Sequence, residues 1–169
     1  MGLIQLQFED WVPFPLSRVF AFFSNPDNLP RIMPAASETR IDQLQLVPPP
    51  SPGSDASPRA AGVGTVIVTS FRVFPFLPLR ALWIARITEF EWNHYFADEQ
   101  QKGPFKQWHH RHEFREETHN GVTGTIVRDM IEYEVGFGRL GALADSLFVT
   151  PQMRNTFAQR QQILPRLLS

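Results

Sequence analysis

The sequence predicts an α+β fold in which an antiparallel sheet packs against a long C-terminal helix. Three observations predict it. Between Thr65 and Val135 apolar residues recur with period two, the spacing of half-buried strands. Within that stretch Asn120-Gly121 separates two alternating runs, the strongest short-range hairpin signal. From Arg139 to Leu168 the spacing changes to that of a helix.

The elements follow in order. Leu3, Gln5, Gln7 and Glu9 alternate with Ile4, Leu6 and Phe8, so residues 3–12 read as a half-buried strand, ended by Pro13 and Pro15. Pro15 suits the first turn of a helix, where its missing N–H is no loss. Leu16, Val19, Phe20 and Phe23 then recur at helical spacing, giving a short amphipathic helix over 15–24. Ser24-Asn25-Pro26 stops it, and Pro26 to Met33 reads as a second short helix closed by Pro34. Residues 38–47 form a strand. Residues 47–62 hold five prolines and no core formers, and read as a flexible surface loop. Strands follow at 65–73, 80–91, 92–101, 106–118 and 122–135. The closing helix, 139–168, takes its apolar side from Leu140, Leu143, Leu147, Phe157, Leu164 and Leu168, and Pro151 is expected to bend it. A helix lying across the concave face of a curved sheet leaves a cavity between them.

Composition limits the function classes. The 169 residues suit one domain with one sizeable core, with 47–62 as a loop rather than a linker. Lys and Arg total 16 against 17 Asp and Glu, a balance that argues against a nucleic-acid partner. Cys is absent, which removes disulfides, thiolate nucleophiles and Cys-based metal sites. Met1 to Asp10 carries no signal-peptide pattern and no stretch matches a transmembrane span, so the expected location is cytoplasmic. Phe stands out: 15 residues against 4 Trp and 2 Tyr, aromatic carbon that needs a core, a pocket or an interface.

The hairpin turn sets a register. With Asn120 and Gly121 as its two loop residues, His119 pairs with Val122. Phe114 then faces Val127, His112 faces Asp129, His110 faces Ile131, and Trp108 faces Tyr133. Paired residues point to one side. The opposite side carries His109, Arg111, Glu113, Arg115, Arg128, Glu132 and Glu134 and is the solvated one. The inner side therefore holds two His and an Asp where an ordinary core is aliphatic. On the preceding strand Phe96, Asp98 and Gln100 share a face, with Asp98 expected near Trp108 or His110. Phe96, Asp98, Gln100, Trp108, His110, His112, Phe114, Asp129, Ile131 and Tyr133 thus form a candidate ligand site, a few polar groups on an apolar wall.

Three readings of its polar members stay open. An inward His-Asp pair can simply satisfy itself. His110 and His112, two apart on a strand, can both ligate a metal with the two Asp completing the shell, but spacing alone does not make three ligands converge, so no metal or cofactor is assigned. A His held by an Asp can move protons, with His110, His112 and Asp129 as catalytic residues if the protein is an enzyme. The segment Phe71 to Leu79 joins two strands yet carries Phe74, Phe76, Leu77 and Leu79. It reads as an apolar lid over the cavity, with a homodimer interface or a membrane-touching patch as alternatives. Trp11, Trp83 and Trp92 are expected as core or edge packing.

These residues resemble a known pattern. Asp98-x-Gln100-x-x-Gly103-Pro104-Phe105-x-x-Trp108-x-His110-x-His112-x-Phe114, then Thr125-x-x-x-Asp129-x-Ile131-x-Tyr133, then Gly138-x-Leu140-Gly141 opening a long helix, is similar to a bacterial branch of the START-like, helix-grip superfamily, also called SRPBCC. The entry through Pro15 to Leu29 and Ile32-Met33-Pro34 matches more loosely. The resemblance implies a curved sheet of seven strands gripping the C-terminal helix around a deep cavity. It implies a hydrophobic or amphipathic small-molecule ligand, as in lipid-transfer relatives, or a cyclase- or dehydratase-type activity, as in polyketide cyclases. Fold does not decide between them.

Overall fold

The computed structural model describes residues 2–50, 59–73, 79–136 and 138–169. Its elements run β1 (Ile4–Val12), α1 (Leu16–Ser24), α2 (Leu29–Ile32), β2 (Arg40–Gln45), β3 (Val66–Arg72), β4 (Arg80–Glu91), β5 (Tyr95–Lys102), β6 (Gln107–His119), β7 (Val122–Glu134), α3 (Gly138–Ala144) and α4 (Thr150–Leu168). The seven strands form one antiparallel sheet in the order β1-β7-β6-β5-β4-β3-β2. This is the helix-grip fold that the resemblance implies, within the α+β class that the pattern predicts.

The hairpin has the expected register. His112 pairs with Asp129, His110 with Ile131, Trp108 with Tyr133 and His119 with Val122. Asn120 (φ 50°) and Gly121 (φ 80°) both take left-handed backbone, as a two-residue hairpin turn of this hand requires. On β5, Asp98 pairs with His110 and Phe96 with His112. The charged face is the outer one: Arg128 reaches Glu9 at 2.8 Å, and Arg111 pairs with Glu89 and lies 3.8 Å over the Tyr95 ring.

Irregularities bend the sheet. The β4–β5 register shifts at Ile84/Ala85 and Ile87/Glu89, and the β2–β3 register at Ile41/Gln43. Each unpaired residue shortens one strand against its neighbour and adds twist. The shift after Ile87 also changes parity, so Trp83, Ala85 and Ile87 face inward and then Phe90 does, opposite Phe96. On the concave side α1 and α4 pack against each other, α1 against β6 and β7, and α4 against β1. The core cluster joins Val12, Val19, Phe20, Phe23, Phe114, Val127, Leu164 and Leu168, among others. Phe20 is its centre, edge-on to Phe90, Phe96 and Phe114 with centroids 5.1–6.1 Å away.

Several expectations need correction. The strand placed at 92–101 starts at Tyr95, because Trp92, Asn93 and His94 make a turn with Asn93 left-handed (φ 59°). The segment Pro26 to Met33 is a 3₁₀ turn (Pro26–Asn28), begun where Asn25 Oδ1 accepts the Asp27 N–H, and then one α-turn. The C-terminal helix has a π-helical stretch, Asp145–Val149, between α3 and α4. Pro151 falls in the first turn of α4, where its lack of an N–H is tolerated. Leu140, Leu143 and Leu147, expected on the buried side, are 76%, 57% and 58% exposed, and Phe157, Leu164 and Leu168 carry the packing.

The ends of the proline-rich segment are packed rather than free. Ala60 and Ala61 are buried, the Ala61 N–H donates to Ser24 O (2.9 Å), the Gly62 N–H to Val47 O (2.8 Å), and Trp92 Nε1 to Pro50 O (2.6 Å). The rest of that segment, 51–58, lies outside the described residues, as do Phe74, Phe76 and Leu77 of the apolar connection. Leu79, at that connection's far end, is exposed. Among the described residues no helix is long and apolar enough to cross a membrane.

Candidate functional site

A cavity of about 410 Å³ lies between the concave sheet and the helices. β3 contributes Ile67, Thr69 and Phe71, and β4 contributes Trp83, Ala85 and Ile87, each set alternating on the inner face. β5 and β6 add Phe96, Asp98, Trp108, His110 and His112. The helical side brings Phe22, Phe23, Leu29 and Ile32 from the N-terminal helices and Met153, Phe157 and Arg160 from α4. Most of this wall is hydrocarbon. Its ionisable members, Asp98, His110, His112 and Arg160, sit together where β5, β6 and α4 meet.

Asp129 organises that cluster from behind the wall. It is 0% exposed and faces β6 by register. Its Oδ1 lies 2.9 Å from His110 Nε2, in hydrogen-bond geometry, and 2.7 Å from His112 Nδ1, a contact out of line for a hydrogen bond. Arg160 grips the same carboxylate with both terminal nitrogens, Nη1 donating to Oδ1 at 3.1 Å and Nη2 to Oδ2. Arg160 Nη2 also reaches Asp10 Oδ2 at 3.5 Å. The guanidinium lies 4.6 Å over the Phe157 ring and 5.3 Å over Phe23, so aromatic faces back it. On the other flank His110 Nδ1 is 3.8 Å from Asp98 Oδ2, and His112 leans on Phe96 at 4.5 Å.

Burial and charge act against each other here. Burial by itself raises the Asp129 carboxyl, but the Arg160 charge and the two imidazoles hold it well below its ordinary value. Asp129 is therefore the fixed anion of the cluster. Burial raises Asp10 and Asp98 despite Arg160 beside the first and His110 beside the second. Burial and the neighbouring His112 lower His110, against the pull of Asp129 and Asp98. Burial favours loss of the Arg160 proton, but Asp129 overrides it and keeps the guanidinium charged.

The structure distributes the ten sequence-derived residues unevenly. Phe96, Asp98, Trp108, His110 and His112 reach the cavity wall. Phe114 does not: it packs among Phe20, Phe23 and Phe96 in the core. Ile131 and Asp129 are fully buried behind the wall. Tyr133 is fully buried outside the cavity lining, its hydroxyl donating to Asp145 Oδ1 (2.6 Å) and bonded to Thr150 (2.8 Å). Gln100 spends its amide on the Phe105 backbone, closing the β5–β6 turn. A shared face sets direction, whereas depth depends on what packs above each position.

Sequence reasoning missed three members. Asp10 falls in the inner parity of β1 with Ile4, Leu6 and Phe8, and Arg160 lies between Phe157 and Leu164 on the buried stripe of α4. A charge interrupting an apolar face was the available signal in both cases. Trp83, expected as packing only, is on the cavity wall, edge-on to Trp108 at 4.9 Å.

The same fold occurs in distant proteins. A Thermus thermophilus protein, TTHA0849, is 16% identical with a TM-score of 0.67, over 98% of this chain and 97% of that one. A point mutant of Thalictrum flavum norcoclaurine synthase in complex with a transition-state analogue is 13% identical with a TM-score of 0.61, over 99% and 98%. Ara h 8.0201 is 12% identical with a TM-score of 0.55, over 95% and 97%. At such identities the likeness is one of fold. No curated protein matches the chain. The family described as polyketide cyclase / dehydrase and lipid transport matches residues 12–161, a span holding the whole buried cluster except Asp10, and the chain belongs to that family.

Proposed function

We propose that the protein binds a hydrophobic or amphipathic small molecule in the cavity, its apolar body against Trp83, Trp108 and Phe96 and its polar end toward Asp98, His110 and His112. The observation that carries this reading is a cavity of about 410 Å³ whose wall is largely apolar and whose ionisable groups gather at one end. That volume and pattern match small-molecule sites. The family's description, which includes lipid transport, supports it. The test fills the cavity. Ala85→Trp places an indole into the space from β4. Fluorescence titration with the amphipathic dye 1-anilinonaphthalene-8-sulfonate should give binding to the wild type that weakens at least ~10-fold in the variant, about 1.4 kcal/mol. Equal dye binding in a variant with native circular dichroism refutes the reading.

A second reading is favoured by one contact. His110 stands on the cavity wall with Nε2 on the Asp129 carboxylate, so its ring is oriented and burial keeps it neutral and able to accept a proton. Acid–base chemistry of the cyclase, dehydratase or isomerase type on an oxygenated hydrophobic substrate would use His110 and His112, with Asp129 as the positioning residue. Binding retained in His110→Ala, with no turnover in the wild type, favours the binding module.

A further inference from the structure

The buried cluster holds more carboxyl groups than cations. Asp10, Asp98 and Asp129 meet one permanent cation, Arg160, and Arg160 serves Asp129 and Asp10 rather than Asp98. Asp98 instead faces two imidazoles. One ligand atom from each of Asp98, His110 and His112 lies within 4.8 Å of the others. All three side chains line the cavity. Both imidazoles turn one nitrogen toward Asp129 Oδ1, Nε2 of His110 and Nδ1 of His112. That leaves His110 Nδ1, on the Asp98 side, and His112 Nε2 free to coordinate.

We propose that Asp98, His110 and His112 hold a first-row divalent metal ion on one face, with Asp129 as the outer partner of both imidazoles and the remaining coordination positions open to the cavity. Metal-bound imidazoles characteristically direct the other ring nitrogen to a carboxylate or carbonyl, which fixes the ring. Here one carboxylate is hydrogen-bonded to His110 Nε2, lies 2.7 Å from His112 Nδ1, and is itself clamped by Arg160. Bonds of about 2.0–2.2 Å hold donors roughly 3–3.5 Å apart, so the three side chains close in by under ~2 Å. The strands supply the scaffold, since Asp98 and His110 are register partners and His112 is two residues along the same face. Two nitrogens and one carboxylate oxygen suit Zn²⁺, Fe²⁺ or Co²⁺, whereas Mg²⁺ and Ca²⁺ prefer oxygen alone. A divalent cation would also supply the positive charge that Asp98 lacks. The inference concerns a cation and stands or falls apart from dye binding.

Tag-free, chelator-treated full-length protein is titrated with Zn²⁺ by calorimetry and with Co²⁺ by visible absorption. One ion per chain, a Co²⁺ ligand-field band, and at least ~10-fold weaker binding in Asp98→Asn and His112→Ala are expected. His119→Ala, at a half-buried His beside Glu117 and away from the cavity, should leave metal binding unchanged. For a readout that needs no variant, Co²⁺ should broaden the imidazole NMR signals of His110 and His112 in the wild type. The proposal is overturned if neither ion binds at millimolar concentration, if Asp98→Asn and His112→Ala bind as the wild type does, or if Co²⁺ broadens only the signals of His94, His109 and His119.

Discussion

Arg160 is the residue on which the buried cluster depends for stability, and Arg160→Met tests that. Arg160, Asp129 and Asp10 are 4%, 0% and 6% exposed. The substitution keeps the long apolar stem and removes the charge, leaving two buried carboxylates without their cation. Removing one partner of such a pair costs about 3–5 kcal/mol. At roughly 2–4 °C per kcal/mol for a chain of this size, Tm should fall by about 6–20 °C. The loss carries a pH signature. In the wild type Asp129 is held below its unfolded value, so its stabilisation is fully present above about pH 4 and is lost as pH falls through its lower folded value. In the variant burial acts unopposed by Arg160 and raises both carboxyls. The folded state then binds protons that the unfolded chain has released, and acidification stabilises it. The gap between the two proteins should therefore narrow from neutral pH toward about pH 4.5. Urea denaturation followed by tryptophan fluorescence measures it across that range. A loss below about 1 kcal/mol at neutral pH, or a gap that stays constant on acidification, would refute the reasoning. Asp129→Asn combined with Arg160→Met should lose less than the two single losses added, because it removes both charges.

Two further predictions rest on single contacts. Burial and the bond to Asp145 push the Tyr133 hydroxyl up to about 12, so wild-type stability should fall as pH rises from about 10 toward 12, and Tyr133→Phe should abolish that slope while costing about 1–2 kcal/mol at neutral pH; denaturation curves at alkaline pH check it, and an unchanged slope counts against it. A Cβ at Gly124 would stand 2.3 Å from Val12 O and 2.8 Å from the Trp11 ring, so Gly124→Ala should destabilise by about 1–3 kcal/mol by prising β1 from β7; an unaltered thermal midpoint would contradict that contact.

The parts legible beforehand are those governed by local backbone. The Asn120-Gly121 turn defines pairing, and pairing defines parity, so His110, His112 and Asp129 could be placed on one face from the chain alone. Alternation on β5 brought Asp98 only as far as Trp108 or His110, because the turn after Lys102 does not fix the register, and the structure pairs it with His110. It failed where the backbone departs from period two or where another element decides the outcome. The turn at Asn93 truncates β5, and the shift at Ile87/Glu89 changes which β4 residues face inward. Tyr133 has the expected direction but is engaged by Asp145 and Thr150 from the helical side, which the hairpin says nothing about.

By itself the sequence determined an α+β layout of antiparallel strands with a long C-terminal helix, and the side of the sheet on which the histidines and Asp129 lie, because strand periodicity and turn chemistry act between near neighbours. Only the tertiary structure decided that Asp129 is buried behind the wall, that Arg160 and Asp10 complete its network, and that Trp83 joins the cavity while Leu140, Leu143 and Leu147 face outward. Arg160 meets Asp129 across 31 residues and Asp10 across 150. Contacts at such separations depend on where α4 docks on a sheet curved by its bulges, and docking is set by the packing of the whole concave face rather than by any local pattern.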